Sequence, residues 1–123
     1  MRPWLAVAAV NGALAVAAGA FAAHGLQGKL VPSALEVFET AARYHMFHAL
    51  ALGLTALAIH QGVRARTAAW LFLTGIVLFS GSLYLLALTG ARPFAYITPL
   101  GGVAWLAAWL ALGWSAMKDG GHD

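Results

Sequence analysis

The chain contains no cysteine, which excludes disulfide bonds, thiolate metal sites and cysteine nucleophiles. Charged residues are also scarce, at 9% against roughly 25% in soluble domains. The seven Lys and Arg form no basic stripe with interleaved aromatics, so no nucleic-acid partner is expected. Hydrophobic residues instead make up 62%, and a soluble fold this apolar could not cover its surface with polar groups. The composition therefore predicts an integral membrane protein.

Four apolar segments are long enough to cross a bilayer, which takes about 20 residues. They cover residues 4–23, 44–61, 67–89 and 98–117. The first is longer than the core of a secretory signal, so it too is predicted to be a span. A spanning segment must satisfy its own backbone, and these segments lack the alternation of a barrel strand. The chain is therefore predicted to be a single all-α membrane domain, residues 1–123, forming a four-transmembrane-helix bundle.

The connection between the first two spans predicts an amphipathic helix at the membrane surface. Pro32 separates the following segment from the loop before it, and Ser33 followed by Glu36 has the spacing of a capping box. Apolar and charged side chains then occupy different faces. This interfacial helix has no breaker before Tyr44, so it can run straight into the second span.

Two further helix features follow from small residues and prolines. Thr98 has the character of an N-cap with Pro99 at the first helical position, and Gly101-Gly102 behind it suits either close packing or an anion at the helix start. The first span is expected to lie in the packed interior, with Asn11 bonded to a neighbouring helix, unless its alanines only reflect compositional bias. Its small residues recur at four-residue spacing: Ala8 and Gly12, then Ala15, Gly19 and Ala23.

The predicted topology gathers the side chains capable of chemistry at one membrane face, where polar groups tend to face the bundle interior. No metal or cofactor is predicted, because no metal-binding motif is present. No catalytic residue is predicted either. Three histidines, His24, His45 and His48, are the weak metal candidates, and bonds between helices are the alternative role for them. The binding candidates are His24, Glu39, Arg43, Tyr44, His45, His48, Ser80, Ser82, Tyr84 and Thr98.

An even number of spans places both termini on the same side of the membrane. The slight excess of positive charge on that side predicts that the termini are cytoplasmic, in the inner membrane. That side carries Arg2, Arg64, Arg66 and Lys118, and the other carries Lys29, Arg43 and Arg92.

Four motifs, in order across nearly the whole chain, resemble those of one family. They are GAFAAHG (19–25), FETAARYHMFHAL (38–50), FSGSLY (79–84) and ITPLGG (97–102). Together they are similar to the "domain of unknown function 423" family, whose eukaryotic members are called transmembrane protein 256. The resemblance implies a small bacterial inner-membrane protein with several spans, no established activity and no catalytic residues to carry over. Ala22, where a glycine is common, implies looser packing there. The motif positions are His24, Tyr44, His48, Ser80, Ser82, Tyr84, Thr98 and Pro99.

Three classes of function remain open at this point. The first is a structural or accessory protein that binds lipid or another membrane protein, and that could self-associate through its Gly/Ala-rich helix faces. The second is a small carrier or sensor that uses His24, His45, His48 and Glu39 for a proton, metal or small ligand. The third, a membrane enzyme, is the least favoured.

Overall fold

The computed structural model describes residues 2–120, and within that range the backbone forms four helices. They are α1 (Arg2–His24), α2 (Pro32–His60), α3 (Arg66–Thr89) and α4 (Pro93–Gly120). Among these, α1, α3 and α4 are long and apolar enough to cross a membrane. α2 is equally long, but its first three turns carry charged side chains. The predicted all-α class is confirmed, with three helices that have the length and apolarity of membrane spans.

α2 is a single helix that contains both the predicted surface helix and the predicted second span. It begins at Pro32, after Val31 in an extended conformation, and no side chain caps it. The predicted capping box at Ser33 is therefore wrong. Proline at the first helical position has no amide to satisfy and a φ already suited to the helix, so the helix starts before Ser33. It ends where Gly62 adopts a positive φ.

α4 begins at Pro93 rather than at Thr98, so the predicted N-cap there is also wrong. Pro93 offers the same start signal as Pro99 and comes first, and no breaker separates the two prolines. Pro99 therefore lies inside the helix, where it removes one backbone hydrogen bond. The Thr98 side chain instead bonds within the bundle.

α3 covers the third predicted span, but its middle is not α-helical. Ile76–Gly81 forms a π turn, flanked by α-helix on both sides. A π turn holds one extra residue, and consecutive residues on a helix are about 100° apart. It therefore rotates every later side chain of α3 relative to an unbroken helix. α3 ends at Thr89, and Gly90 follows it in a left-handed conformation.

The central helix of the bundle is α2, which lies between α1 and α3. Residues along most of its length are buried, among them Ala41, Leu52 and Ala56. The expectation that the first span forms the packed interior is wrong, because α1 packs mainly against α2 alone and leaves Gly19 and Ala23 exposed. One neighbour buries only one stripe of a helix. On α1 that stripe is Ala8, Asn11, Ala15 and Ala22.

α3 and α4 meet at two glycines. A Cβ built on Gly101 would overlap the backbone of Leu78 and Phe79, and one built on Gly75 would overlap the indole of Trp105. By contrast, a Cβ on Gly102 would meet nothing within 4 Å. Gly101 therefore serves close packing, the first of its two predicted roles, because a small residue lets two helix backbones touch.

Candidate functional site

Three polar side chains from three helices form one hydrogen-bonded group, here called the triad. His45 of α2 lies between Asn11 of α1 and Tyr84 of α3. Its Nε2 is 2.9 Å from the Asn11 Oδ1, and its Nδ1 is 2.9 Å from the Tyr84 hydroxyl. Asn11 and His45 are buried, and Tyr84 is half-buried. Polar groups this deep in an apolar bundle are costly unless they are paired, and each of these is.

The hydrogen bonds of the triad run in one direction. The Asn11 Nδ2 donates to the Val7 carbonyl at 2.9 Å, which fixes the amide with its oxygen towards His45. That oxygen only accepts, so the His45 Nε2 carries the proton. Both partners of the ring are uncharged, and burying a charge without a counter-ion is costly, so the ring is neutral. Its Nδ1 is then an acceptor, and the Tyr84 hydroxyl donates to it. The donors therefore run from Tyr84 through His45 to Asn11 and end on a backbone carbonyl.

Helix packing and the π turn explain the placement of Asn11 and Tyr84. Asn11 belongs to the only buried stripe of α1, so its side chain faces α2. Tyr84 follows the π turn, and that turn's extra residue sets the direction in which its ring points. The ring lies 4.9 Å from the ring of Phe38 and 5.8 Å from that of His45, between centroids. Packing against Phe38 holds the phenol where its hydroxyl reaches the imidazole.

A groove of about 760 Å³ lies beside the triad, and all three triad side chains line it. The groove runs between α1, α3 and the start of α4, with Phe38 and His45 contributed by α2. Among the residues that the structure describes, no Asp, Glu, Lys or Arg lines it. Its volume is in the range of small-molecule sites, which are mostly apolar with a few placed polar groups. The apolar walls include Leu14, Ala18, Phe21, Val77, Leu85 and Ile97.

Two serines in or beside the π turn bond to neighbouring helices. The buried Ser80 hydroxyl donates to the Ala41 carbonyl of α2 at 2.9 Å. The Ser82 Oγ lies 2.9 Å from the Phe79 carbonyl oxygen and 2.6 Å from the Thr98 Oγ1. Each hydroxyl has one hydrogen, so both contacts form when Thr98 donates to Ser82 and Ser82 donates to Phe79. The Thr98 hydrogen is then not available for the Phe94 carbonyl oxygen, which lies farther away, at 3.3 Å from the Thr98 Oγ1. Ser82 also lines the groove.

His48 occupies a separate site, on the side of α2 that faces α4. Its ring is stacked on the Trp105 indole, with centroids 3.6 Å apart and planes 2° from parallel. Its Nδ1 lies 2.9 Å from the Tyr44 carbonyl oxygen, and the Trp109 indole donates to its Nε2 over a long 3.4 Å. A carbonyl accepts and an indole N–H donates, so His48 is neutral with its proton on Nδ1.

The structure separates several residues that were predicted to gather. His24, Glu39 and Arg43 are exposed, while His45 and His48 are buried against different neighbours. Within residues 2–120, no three His, Asp or Glu side chains stand close enough to hold a metal. Tyr44 packs its ring against those of Phe47, Phe79 and Trp105. Of the ten binding candidates, His45, Ser82 and Tyr84 line the groove.

Asn11 is the member of the triad that the predicted site omitted. The expectation that it bonds to a neighbouring helix is confirmed. Its position as the only strongly polar side chain of an apolar span was the available signal, since such residues face the bundle interior. Nothing comparable pointed to Trp109 as the partner of His48.

A family model described as "Protein of unknown function (DUF423)" matches residues 18–102, more than half of the chain. The chain belongs to this family. Its relatives include a membrane protein of Bacillus subtilis, "UPF0382 membrane protein YwdK", which is 45% identical over 96% of this chain and 98% of its own. No solved structure matches the chain.

Two other relatives come from other bacteria. "UPF0382 membrane protein SERP0230" of Staphylococcus epidermidis is 42% identical over 98% of this chain and 100% of its own. A "UPF0382 membrane protein" of Haemophilus influenzae is 42% identical over 94% of each. These names describe membrane proteins, in agreement with the apolar helices of this DUF423 chain, and they state no activity.

Proposed function

We propose that this protein is a lipid-binding membrane protein whose groove holds a lipid-soluble small molecule against the triad. The observation that carries the proposal is that Asn11, His45 and Tyr84 all line one apolar groove. Most polar groups inside a membrane bundle only join helices. Here a hydrogen-bonded group borders a space large enough for a ligand.

The direction of the triad favours binding over proton transport. Its donors end on the Val7 carbonyl, and a neutral amide such as that of Asn11 does not pass a proton on. A carrier that uses His24, His45, His48 and Glu39 together would need them in one place, whereas His24 and Glu39 are exposed. The groove therefore supports a binding role better than that cluster supports a carrier.

The proposal places four spans in the inner membrane, with both termini in the cytoplasm. The second span is the later part of α2, whose residues 44–60 contain no Asp, Glu, Lys or Arg. Its first turns lie at the membrane surface, since Glu36, Glu39 and Arg43 are exposed there.

The absence of cysteine makes the orientation easy to test. Single cysteines replace the exposed Lys29 and Arg64, which flank α2 at its two ends. A membrane-impermeant maleimide should label Lys29→Cys in intact cells and label Arg64→Cys only after the membrane is opened. Labelling of both, or of Arg64→Cys alone, in intact cells would contradict the arrangement.

Filling the groove tests the binding function itself. Ala18 lines the groove, whereas its neighbour Ala17 is exposed and lies outside the lining. Ala18→Trp should therefore displace a bound molecule that Ala17→Trp retains. Lipid-soluble molecules are extracted from both purified variants and the wild type, and are quantified by mass spectrometry. The proposal predicts one species at a fixed ratio to protein that is missing only from Ala18→Trp. The same extract from all three proteins would refute it.

A further inference from the structure

The polar side chains that line the groove offer mostly hydrogen-bond acceptors. The Tyr84 hydroxyl donates its one hydrogen to His45 and keeps a free lone pair. The Ser82 hydroxyl donates to Phe79 and also keeps one after accepting from Thr98. The Asn11 Oδ1 accepts from His45 and has room for a second donor. Besides these three acceptors, the same side chains offer one free donor, which is the second N–H of the Asn11 amide.

Charged head groups have no partner in the groove. Within the described part of the chain, no Lys, Arg, Asp or Glu lines it, and the neutral form of His45 has both ring nitrogens engaged. A phosphate or carboxylate buried there would lose its hydration without a counter-ion, which is costly. The groove therefore excludes the head group of a charged lipid, while its apolar walls accept a hydrocarbon chain.

From these free donors and acceptors we infer that the ligand of the groove is an uncharged amphiphile with a hydroxyl head, such as a long-chain or isoprenoid alcohol. The hydroxyl donates to the Tyr84 Oη or the Asn11 Oδ1, and it can accept from the Asn11 amide. A ketone or ether head could use only that one amide hydrogen. This inference rests on the proposed function and adds the chemical class of the ligand.

The test compares two probes that differ only in the head group. One is a long-chain alcohol with a photoreactive diazirine in its tail, and the other is its methyl ether. Each is irradiated with the purified protein in lipid nanodiscs, and the labelled fraction is read from the intact mass. One hydrogen bond is worth about 0.5–1.5 kcal/mol, so the alcohol should bind about 2- to 12-fold more tightly than the ether.

Matched variants connect that preference to the triad. Tyr84→Phe alone would leave the Asn11 Oδ1 and free the His45 Nδ1 as an acceptor, so the test variant combines Asn11→Leu, His45→Leu and Tyr84→Phe. It should reduce the preference for the alcohol to near one, while the ether still labels the groove and shows that it has formed. Tyr96→Phe is the control, because Tyr96 is 74% exposed and lies outside the groove lining. It should keep the full preference.

The outcomes separate this inference from the proposed function. Equal labelling by both probes, with Ala18→Trp blocking both, would overturn the hydroxyl assignment and leave the binding function standing. A preference that survives when all three triad side chains are replaced would also overturn the assignment to the triad. Labelling that Ala18→Trp does not reduce would overturn the groove as a binding site, and with it both proposals.

Discussion

Replacing Gly101 with alanine should push α3 and α4 apart. The new methyl group would overlap the backbone of Leu78 and Phe79, and backbone atoms cannot rotate away as a flexible side chain can. Gly102 provides the matched control, because its position in the same helix has nothing within 4 Å of an added Cβ. The two substitutions add the same methyl group to adjacent residues.

The expected change in the free energy of unfolding is the sum of two opposing effects. Alanine in place of glycine stabilises a helix by about 1 kcal/mol, and this gain applies at both positions. Overpacking a tight contact costs about 1–3 kcal/mol, and the rigid neighbours of Gly101 place it near the upper end. Gly101→Ala should thus lower the free energy of unfolding by about 2 kcal/mol, and Gly102→Ala should raise it by about 1 kcal/mol. The two variants should therefore differ by about 3 kcal/mol.

Unfolding in mixed micelles of increasing dodecyl sulfate measures this difference. The helix signal in circular dichroism reports unfolding. The midpoint for Gly101→Ala should fall below that of the wild type, and the midpoint for Gly102→Ala should lie at or above it. Equal midpoints for the two variants would refute the backbone contact at Gly101.

Other substitutions test the core and the triad in the same unfolding assay. Trp105→Ala should lower the free energy of unfolding by about 3–5 kcal/mol because the indole is buried. Trp114→Ala should change it little because that side chain is 68% exposed. Equal losses in the two variants would argue against the packing of Trp105. Asn11→Ala and His45→Ala should be non-additive by about 0.6–2 kcal/mol in a double-mutant cycle, and strict additivity would deny their hydrogen bond. Ser80→Ala should lose about 1 kcal/mol with its bond to the carbonyl on α2, and an unchanged midpoint would show that this bond contributes nothing.

The apolar helices could be predicted because span length and composition act over some 20 residues at a time. The continuity of α2 could be predicted too, since no glycine or proline interrupts the chain between Pro32 and Gly53. Helix starts were harder to predict. Ser33 and Thr98 both have good capping chemistry, yet a proline just before Ser33, and another five residues before Thr98, starts each helix first.

The site was only partly predictable, because it depends on how helices pack. The histidines of α2 were visible in the sequence, but their division between two sites follows from which helix each one faces. The π turn has no clear sequence signal, and Ser80-Gly81 within it suited ordinary close packing equally well. Because the turn redirects Tyr84, the triad could not be assembled from spacing alone.

Nitrogen NMR of the histidine rings in bilayers reports on the triad and the groove in one measurement. The hydrogen bonds predict a neutral His45 protonated on Nε2 and a neutral His48 protonated on Nδ1. Adding the long-chain alcohol should shift the His45 Nδ1 resonance, since a hydroxyl that accepts a hydrogen bond becomes a stronger donor, and should leave His48 unchanged. The same tautomer at both residues would rule out the proposed donor order of the triad, and a His45 signal that does not shift with the alcohol would rule out binding beside it.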